Sequence, residues 1–334
     1  MSSDGQARQD LVTGVSIALT VISAIIVSLR VYTRSLIVRN LGKDDISMVI
    51  ALVFTFGYLA ALLVLRQNGM GYSGKYLTFN QMVTTIKVIL VVEIIYYLCV
   101  NAIKISILFF YLRLAVERTF GKICKGTIYF LATFCTICII VVLAQCMPLH
   151  KLWDFTGLVQ GHCINSTAFF YTTSSTNIII DIFILVLPIK LLLSIQRPGR
   201  EKIALLGVFA LGTFSCIASI VRLYSVRIYT ESKDPFFDSV AINTWSMVEI
   251  NIGIWCASIP ALKALFSKAQ RERTQHASGY QYHGTERSGI SASRGRNGTP
   301  GLGSMGTIIK NEEFVLETVK MERGEGSRER IVRM

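Results

Sequence analysis

Seven long apolar stretches, separated by short polar connections, organise the first four-fifths of this chain. A helix that crosses the hydrocarbon core of a bilayer needs about 20 mainly apolar residues, and each stretch reaches that length. The stretches are Leu11–Thr33, Ile46–Leu65, Val88–Leu112, Thr127–Met147, Ala168–Leu193, Ile203–Val226 and Val240–Phe266. The pattern predicts that the lipid bilayer is the solvent of this protein.

The composition of the chain supports the same prediction. Hydrophobic residues make up 52% of the 334 residues, charged residues 16%, and the mean hydropathy is +0.51. A soluble protein of this composition would expose apolar surface that it could not cover. Transmembrane strands would alternate in character over about ten residues, half the length of these runs. The sequence therefore predicts an all-α fold, a seven-transmembrane helix bundle whose backbone polar groups are satisfied within each helix.

The distribution of the +13 net charge predicts the orientation of the bundle. Lys and Arg are concentrated in the connections after the first, third and fifth stretches and in the carboxyl-terminal tail. By the positive-inside rule, the amino terminus is outside and the carboxyl terminus is cytosolic. The expected organisation is an extracellular amino terminus at 1–10, a membrane domain at 11–266 and a cytosolic, largely disordered tail at 267–334. Anionic lipid is the expected partner of these charges; nucleic acid is not, because no recognised binding module accompanies them.

The beginning of the chain gives a prediction about targeting. The first ten residues are polar, and the run after them is too long for the apolar segment of a signal peptide. We expect the first helix to insert the protein, with Arg30 and Arg34 at its cytosolic end and Arg30 snorkelling toward the headgroups. The predicted location is a multi-pass integral membrane protein of the plasma membrane, with another membrane of the secretory pathway as the alternative.

Cysteine positions and sequons become informative once the topology is assigned. Among the eight cysteines, only Cys146 and Cys163 lie at or beyond the outer face, on either side of the connection between helices 4 and 5. A disulfide is predicted there, the alternative being two free thiols in a compact loop. Asn165 begins a glycosylation sequon in the same connection, whereas the sequon at Asn297 is assigned to the cytosol. A glycan on Asn297 would reverse the predicted orientation.

Charged residues inside the predicted helices are the strongest candidates for a functional site. Each costs about 2.5–3.5 kcal/mol at the bilayer centre, so each needs a partner or water. Helix 3 places Glu93, Tyr97, Asn101 and Lys104 at helical spacing on one face, and helix 5 does the same with Asn177 and Asp181. Arg222 on helix 6 and Glu249 on helix 7 complete the set. We predict a Lys104–Asp181 pair near the midplane, and an outer pairing of Arg222 with Glu249, Glu93 or both.

Two interpretations of these residues remain open. The functional interpretation is a polar cavity open to the outside, where a small extracellular ligand meets the outer charges and aromatic residues such as Tyr96, Tyr97, Tyr171 and Trp245. The structural interpretation is a set of ion pairs between helices that only fixes their packing.

Several short motifs, each weak alone, occur in a characteristic order over residues 11–267. They are Arg30-Val31-Tyr32-Thr33-Arg34, Gly42-Lys43-Asp44-Asp45, Gly69-Met70-Gly71, Lys104 with Phe110-Tyr111-Leu112-Arg113, Cys146-Met147-Pro148, Trp153, Gly161-His162-Cys163, Asp181 with Leu187-Pro188, Arg222-Leu223, and Trp255-Cys256-Ala257-Ser258-Ile259-Pro260-Ala261-Leu262. In these motifs the chain resembles the fungal rhodopsin-domain integral membrane proteins of the satratoxin-cluster type, which are related to fungal receptors proposed to resemble G-protein-coupled receptors. The resemblance implies seven helices, an outside amino terminus, a fungal origin and a membrane location, and says little about activity. At Tyr72-Ser73-Gly74-Lys75 the chain departs from the family pattern, so we expect this outer connection to differ.

The residues inside the predicted helices also narrow the range of possible functions. A retinal Schiff base needs a lysine deep in the last helix, and helix 7 has none before Lys263, so neither retinal nor another cofactor is expected. A receptor or sensor resembling a G-protein-coupled receptor is the leading hypothesis. A small-solute or proton-coupled transporter is the alternative, since buried charges often line such pathways. A membrane-embedded biosynthetic enzyme is third, because all four histidines lie outside the helices and no catalytic or metal motif is present.

The carboxyl-terminal tail is rich in Gly, Ser, Arg and Glu, and 277–306 is too polar to form a core. The more apolar segment Ile308–Met321 is a candidate for docking a cytosolic signalling partner, a passive tail being the alternative. Serines near Arg287, Arg294 and Arg328 are candidates for phosphorylation, which would oppose attraction to the inner leaflet.

Overall fold

The computed structural model of this chain describes residues 3–37, 39–115, 117–193, 199–232 and 234–279. Within these ranges, seven helices are long and apolar enough to cross a membrane, which confirms the predicted all-α seven-helix fold. They are α1 Ser3–Tyr32, α2 Lys43–Gln67, α3 Phe79–Leu114, α4 Arg118–Leu143, α5 Ser166–Leu193, α6 Gly199–Glu231 and α7 Pro235–Gly279. Asn297 and the predicted docking segment at 308–321 lie outside the described residues.

Short elements complete the connections and define two faces. Thr33–Ile37 forms a π-helical turn, while Gly74–Tyr76 and Leu149–Trp153 are 3-10 helices. Strands β1 (Cys146–Met147) and β2 (His162–Cys163) pair antiparallel, with Cys146 opposite Cys163. We call the side that carries these strands, the start of α1 and the α2–α3 and α6–α7 connections the disulfide face. The opposite side, with the α1–α2 and α3–α4 connections, is the tail face.

Three element boundaries differ from the predicted stretches. Helix α1 begins at Ser3 instead of Leu11, because the buried Gln9 amide donates hydrogen bonds to the Met70 and Arg66 carbonyls (2.6 and 3.3 Å) and holds the polar first turns in place. Helix α4 ends at Leu143, since the chain turns there into β1. Helix α7 continues to Gly279 and so includes the first part of the segment that composition assigns to the tail.

The helices pack in an order that places α3 and α7 at the centre. Helix α1 packs against α2 and α7, α3 contacts α2, α4, α5 and α7, and α6 packs along both α5 and α7. One apolar core lies between α1, α2, α3 and α7, and a second lies where α3 meets α4 and α5. Large apolar side chains also cover the outside of the bundle, among them Ile25, Val53 and Ile179, where lipid is their natural solvent. Polar groups on α3 and α7 are thereby enclosed by other helices.

Connections on the disulfide face are joined to one another by backbone hydrogen bonds. Gly71 N donates to Phe236 O at 3.1 Å, and Gly74 N donates to the Asp234 carboxylate at 3.1 and 3.2 Å, so the α2–α3 and α6–α7 connections lie side by side. Gly69 turns the chain there at a φ of +88°, where a Cβ would meet Leu77. The connection that contains Tyr72-Ser73-Gly74-Lys75 is therefore compact and is held against the start of α7.

Candidate functional site

Two ion pairs that the sequence predicts, a central one and an outer one, are present and buried inside the bundle. Lys104 Nζ on α3 is 2.9 Å from Asp181 Oδ1 on α5, and Arg222 Nε on α6 is 2.7 Å from Glu249 Oε2 on α7. The side chain of Asp181 is 14% exposed, and those of the other three are 4–7% exposed. Two positive and two negative charges balance one another, so neither pair leaves an uncompensated charge inside the bundle.

Two neutral side chains join these pairs into one network. Lys104 donates to Asn177 Oδ1 at 2.5 Å, and Asn177 Nδ2 donates to Glu249 Oε1 at 3.0 Å. Ser219 Oγ lies 3.1 Å from Asp181 Oδ2 and 2.9 Å from Glu249 Oε1. A hydroxyl group has a single hydrogen to donate, so it serves one carboxylate at a time. The central network, by which we mean Tyr96, Lys104, Asn177, Asp181, Ser219, Arg222 and Glu249, thus connects α3, α5, α6 and α7.

Tyr96 has a larger role than the sequence indicated. Its hydroxyl is 3.1 Å from both Glu249 carboxylate oxygens, and the Arg222 guanidinium lies over its ring at 4.5 Å from the ring centre. Tyr96 therefore contacts both members of the α6–α7 pair, through a hydrogen bond and a cation–π interaction. The sequence predicts Tyr96 only as an aromatic lining residue and gives no prediction for Ser219. Ser219 lies three residues before Arg222 on the same face of α6, and this spacing could have indicated that it belongs to the network.

The predicted polar face of α3 is divided among several neighbours. The Tyr97 hydroxyl donates to Thr173 Oγ1 on α5 at 3.1 Å, whereas Asn101 Nδ2 donates to the Leu131 carbonyl on α4 at 3.0 Å. Among the described residues, Arg222 forms its ion pair with Glu249 and not with Glu93, and Trp245 is half-buried outside the network. Helix α3 is surrounded by four helices, so side chains at offsets of three and four residues reach different partners.

A cavity adjoins the central network on its tail-face side. Its volume is about 70 Å³, counted as space open to the centres of water molecules, which is room for a few waters. Lys104, Asp181 and Glu249 border its polar end, and Phe110, Tyr111 and Pro260 line it toward the tail face. The functional interpretation of the sequence predicts a cavity above the charges that opens to the outside, whereas the structural interpretation predicts packing alone. Instead, Tyr96 and the Arg222 guanidinium stacked on it occupy the disulfide-face side of the network.

A larger recess lies on the disulfide face, apart from the central network. Its volume by the same measure is about 560 Å³, within the range of small-molecule sites. Polar and aromatic side chains predominate in its lining, which consists of Gln9, Arg66, Gln67, Gly69, Tyr72, Tyr76, Leu77 and Gln81. The walls come from the start of α1, the end of α2, the α2–α3 connection and the start of α3. The central network and its cavity therefore lie deeper in the bundle than this recess.

The connection between α4 and α5 lies beside α3 and is closed by the predicted disulfide. Cys146 and Cys163 are bonded, which confirms the prediction. Lys87 of α3 lies over the Trp153 ring at 5.0 Å, so this connection contacts the disulfide-face part of α3. Hydrogen bonds from the Thr156 side chain and the Val159 amide lower the pKa of the Asp154 carboxyl. The Asn165 side chain accepts from Ala168 N at 3.1 Å at the start of α5, and its glycosylation stays a prediction.

A second charged cluster near the tail face corrects the prediction for Arg30. This side chain does not snorkel: it is fully buried and bonds to Asp44 Oδ2 at 2.8 Å, Asp45 Oδ1 at 2.9 Å and the Ala257 carbonyl at 2.5 Å. Asp45 also accepts from Gly42 N at 3.1 Å, so the carboxylate caps α2 while it pairs with α1. The prediction that Arg30 snorkels was wrong, because two carboxylates at the start of α2 are closer partners for it than the headgroups are.

Arg34 lies at the edge of the same cluster. Its guanidinium nitrogens are 3.9 and 4.0 Å from Asp44 and Asp45, and the side chain is 10% exposed. On α3, the Ser106 hydroxyl donates to the Asp44 carbonyl at 2.6 Å. The tail-face cluster, meaning Arg30, Arg34, Asp44, Asp45 and Ser106, thus holds α1, α2 and α3 together and reaches α7 at Ala257.

Seven membrane-spanning helices with a charge-balanced network at their centre define a polytopic membrane protein of the rhodopsin-like architectural type. Residues 29–268 match the fungal rhodopsin domain, and the chain belongs to that family. It is 26% identical over 287 residues to "Receptor GIN3" of Arthrobotrys oligospora, covering 84% of this chain and 69% of that protein.

Other relatives match over shorter parts. A "SAT4 family membrane protein" of Emericella nidulans is 33% identical over 178 residues, covering 52% of this chain and 44% of the relative. "Satratoxin biosynthesis SC1 cluster protein 4" of Stachybotrys chartarum is 28% identical over 130 residues, 39% of this chain and 46% of the relative. No solved structure matches the chain significantly.

Proposed function

We propose that this protein is a receptor or sensor for a small extracellular molecule and acts without retinal, in the manner of G-protein-coupled receptors. The central network carries the proposal, because a few charged and polar contacts link α3, α5, α6 and α7 to one another. A ligand that favours one arrangement of such contacts over another shifts the bundle between states. The similarity to a protein named as a receptor supports the same class.

The proposed orientation puts the disulfide face outside the cell, at the plasma membrane. The larger recess then faces the extracellular solution, and its polar and aromatic lining suits a small molecule with hydrogen-bonding groups. The 70 Å³ cavity on the tail-face side of the network would give the charged side chains space to rearrange. Signals would pass to a cytosolic partner through the tail-face connections and the tail.

The proposed orientation can be tested with the two glycosylation sequons, at Asn165 and Asn297. With the disulfide face outside, only Asn165 can carry an N-linked glycan, and Asn165→Gln should abolish any mobility shift on glycosidase treatment. A shift that persists in Asn165→Gln and disappears in Asn297→Gln would reverse the proposed topology.

Transport is the second candidate, and one observation favours it. The Ser219 hydroxyl lies between the carboxylates of Asp181 and Glu249 at 3.1 and 2.9 Å, an arrangement through which a proton can pass from one group to the other. The network would then be a step in a proton-coupled pathway, and the cavity would receive the proton on the tail-face side.

One experiment separates the two functions. The full chain is reconstituted in lipid vesicles for solute and proton flux, and expressed in cells that carry G-protein reporters, with one panel of small molecules applied to both. A receptor gives a saturable reporter response with flux equal to that of protein-free vesicles. Flux without any reporter response would overturn the receptor proposal and favour transport.

A further inference from the structure

The larger recess on the disulfide face has a positively charged residue in an otherwise neutral lining. Of the described residues that line it, Arg66 is the one with a charged side chain, and the others are glutamines, tyrosines, Gly69 and Leu77. Glutamine amides and tyrosine hydroxyls can each donate a hydrogen bond as well as accept one. The volume of about 560 Å³ is sufficient for a small organic molecule. This lining favours a ligand that carries one negatively charged group.

The present partner of Arg66 is held weakly and can be exchanged. The Arg66 Nη2 atom is 2.5 Å from Oδ1 of Asp10 on α1, and the two side chains are 37% and 54% exposed. An ion pair that is open to water in this way is weak, because water screens both charges. Asp10 does not belong to the described lining of the recess. A carboxylate inside the recess can therefore replace Asp10 on the guanidinium at little cost.

Other contacts hold the walls of the recess in place. The Gln9 amide donates to the Met70 and Arg66 carbonyls at 2.6 and 3.3 Å, which fixes the start of α1 against the end of α2. The ring of Tyr72 packs on Gly5 of α1, where an added Cβ would come within 2.7 Å of it. These contacts do not involve the ion pair between the two side chains, so the recess persists when that pair opens.

We propose that the recess binds a small organic acid, whose carboxylate takes the place of Asp10 on the Arg66 guanidinium. A planar guanidinium can bind a carboxylate through two parallel hydrogen bonds, and the contact with Asp10 shows that Arg66 is placed to bind this kind of group. The tyrosine rings and glutamine amides of the lining then contact the apolar body and the neutral polar groups of the ligand. The site rests on the proposed function and deepens it, because it names the chemical class of the extracellular ligand.

The recess is also connected to α7. Met70, whose carbonyl accepts from Gln9, has its sulfur atom 3.9 Å from Nδ2 of Asn243, and both contacts are buried. Asn243 lies on α7, six residues before Glu249 of the central network. Opening of the neighbouring ion pair removes one of the contacts that hold the start of α1 beside α2. The change can then pass through Gln9 and Met70 to the helix that carries Glu249.

The test is direct binding of tritiated biphenyl-4-carboxylate to the full chain in vesicles of neutral phosphatidylcholine. We expect saturable binding that Arg66→Gln weakens about tenfold or more, since an amide cannot supply the charge-assisted hydrogen bonds. Asp10→Asn should tighten binding about two- to fivefold, because the probe then has no competitor for the guanidinium. Arg227→Gln is the matched control and should bind like the unmodified protein, since it removes another exposed arginine that pairs with a carboxylate at the same end of the bundle. Biphenyl-4-carboxamide, the neutral analogue of the probe, should not compete.

Three results would overturn the proposal: no saturable binding above protein-free vesicles, unchanged affinity in Arg66→Gln, or unchanged or weakened affinity in Asp10→Asn. Both substitutions break only an exposed ion pair, so both variants should keep the thermal midpoint of the unmodified protein. If Arg66→Gln does not fold, Asp10→Asn alone decides the question.

The binding measurement contains no signalling readout, so the site and the proposed function can fail separately. Saturable binding of the probe with a reporter that stays silent across the panel would contradict only the receptor function. A reporter response to neutral molecules alone, undiminished in Arg66→Gln, would contradict only the carboxylate site.

Discussion

The tail-face cluster and the central network are both built from buried ion pairs, yet they differ in what surrounds them. Arg30 is completely enclosed, with its two carboxylates and the Ala257 carbonyl all within 2.9 Å. Lys104, Asp181 and Glu249 instead border a cavity, and Asp181 remains 14% exposed. Enclosed charges have a single arrangement available. Charges next to a cavity have space for a second one, so the central network is the part suited to switching.

The two clusters also differ in the separation of their partners along the chain. Arg30 is 15 residues from Asp45, on the neighbouring helix, so the tail-face cluster stabilises a local pairing of α1 with α2. Lys104 and Asp181 belong to helices separated by the whole of α4 and the disulfide-closed connection. The clusters meet through α7, because Ala257, which accepts from Arg30, also lines the cavity. We infer a rigid half formed by α1, α2 and the tail-face end of α3, and an adjustable half formed by α5, α6, α7 and the part of α3 that carries Tyr96 and Lys104.

The largest expected effect is that of Arg30→Met. It leaves the Asp44 and Asp45 carboxylates buried without their closest cation, which should lower the free energy of unfolding by about 3–5 kcal/mol. Surface expression and the thermal midpoint in detergent both measure this loss. Arg66→Met is the control, since its pair with Asp10 is exposed and worth about 0–1 kcal/mol. Equal midpoints for the two variants would show that the tail-face cluster does not hold the rigid half together.

Lys104→Met should give the next largest loss of stability. It also tests whether the central network has a role beyond holding the helices together. It isolates Asp181, at a cost of a few kcal/mol that water in the cavity reduces. Adding Asp181→Asn removes the isolated charge, so the double variant should regain most of the lost thermal midpoint.

The ligand response of that double variant is the informative measurement. If the network switches, the response stays absent although the protein is stable and at the surface. A stable double variant with a normal response would assign the central network to packing alone, like the tail-face cluster.

Ser219→Ala should give the smallest effect. It removes the hydroxyl between Asp181 and Glu249 and should lower the free energy of unfolding by about 1 kcal/mol, measured as a small drop in thermal midpoint. Proton flux in vesicles supplies a second measurement. Loss of flux with little change in stability would support transport, and an unchanged reporter response would indicate that signalling does not need this hydroxyl.

Helix number and the identity of the central pairs were predictable for simple reasons. Apolar runs of membrane length identify the helices, and each intramembrane charge at Lys104, Asp181, Arg222 and Glu249 must find an opposite one. Among so few charges at similar depth, few pairings are possible. The disulfide followed in the same way, because the assigned topology left only Cys146 and Cys163 on the oxidising side.

The partners of Arg30 and Glu93 could not be predicted from spacing and depth in the membrane. Spacing from the helix end suggested that Arg30 snorkels, but its partners depend on how α1 crosses the start of α2. Glu93 had an available cation in Arg222 by depth, yet the guanidinium lies on Tyr96 and Glu249. Helical periodicity gives the direction of a side chain relative to its own axis. It does not say which neighbour stands in that direction.

By itself, the sequence determined that this protein is a seven-helix membrane bundle with charges in its interior and a disulfide in one connection. Those features depend on transfer free energies and on spacing along the chain, which are local properties. The tertiary structure alone decided that Tyr96 and Ser219 complete the network, that its cavity lies toward the tail face, and that Glu93 has no ion pair within the described part of the chain. Such features depend on the rotation of each helix about its axis and on which helices touch, and packing of the whole bundle sets both.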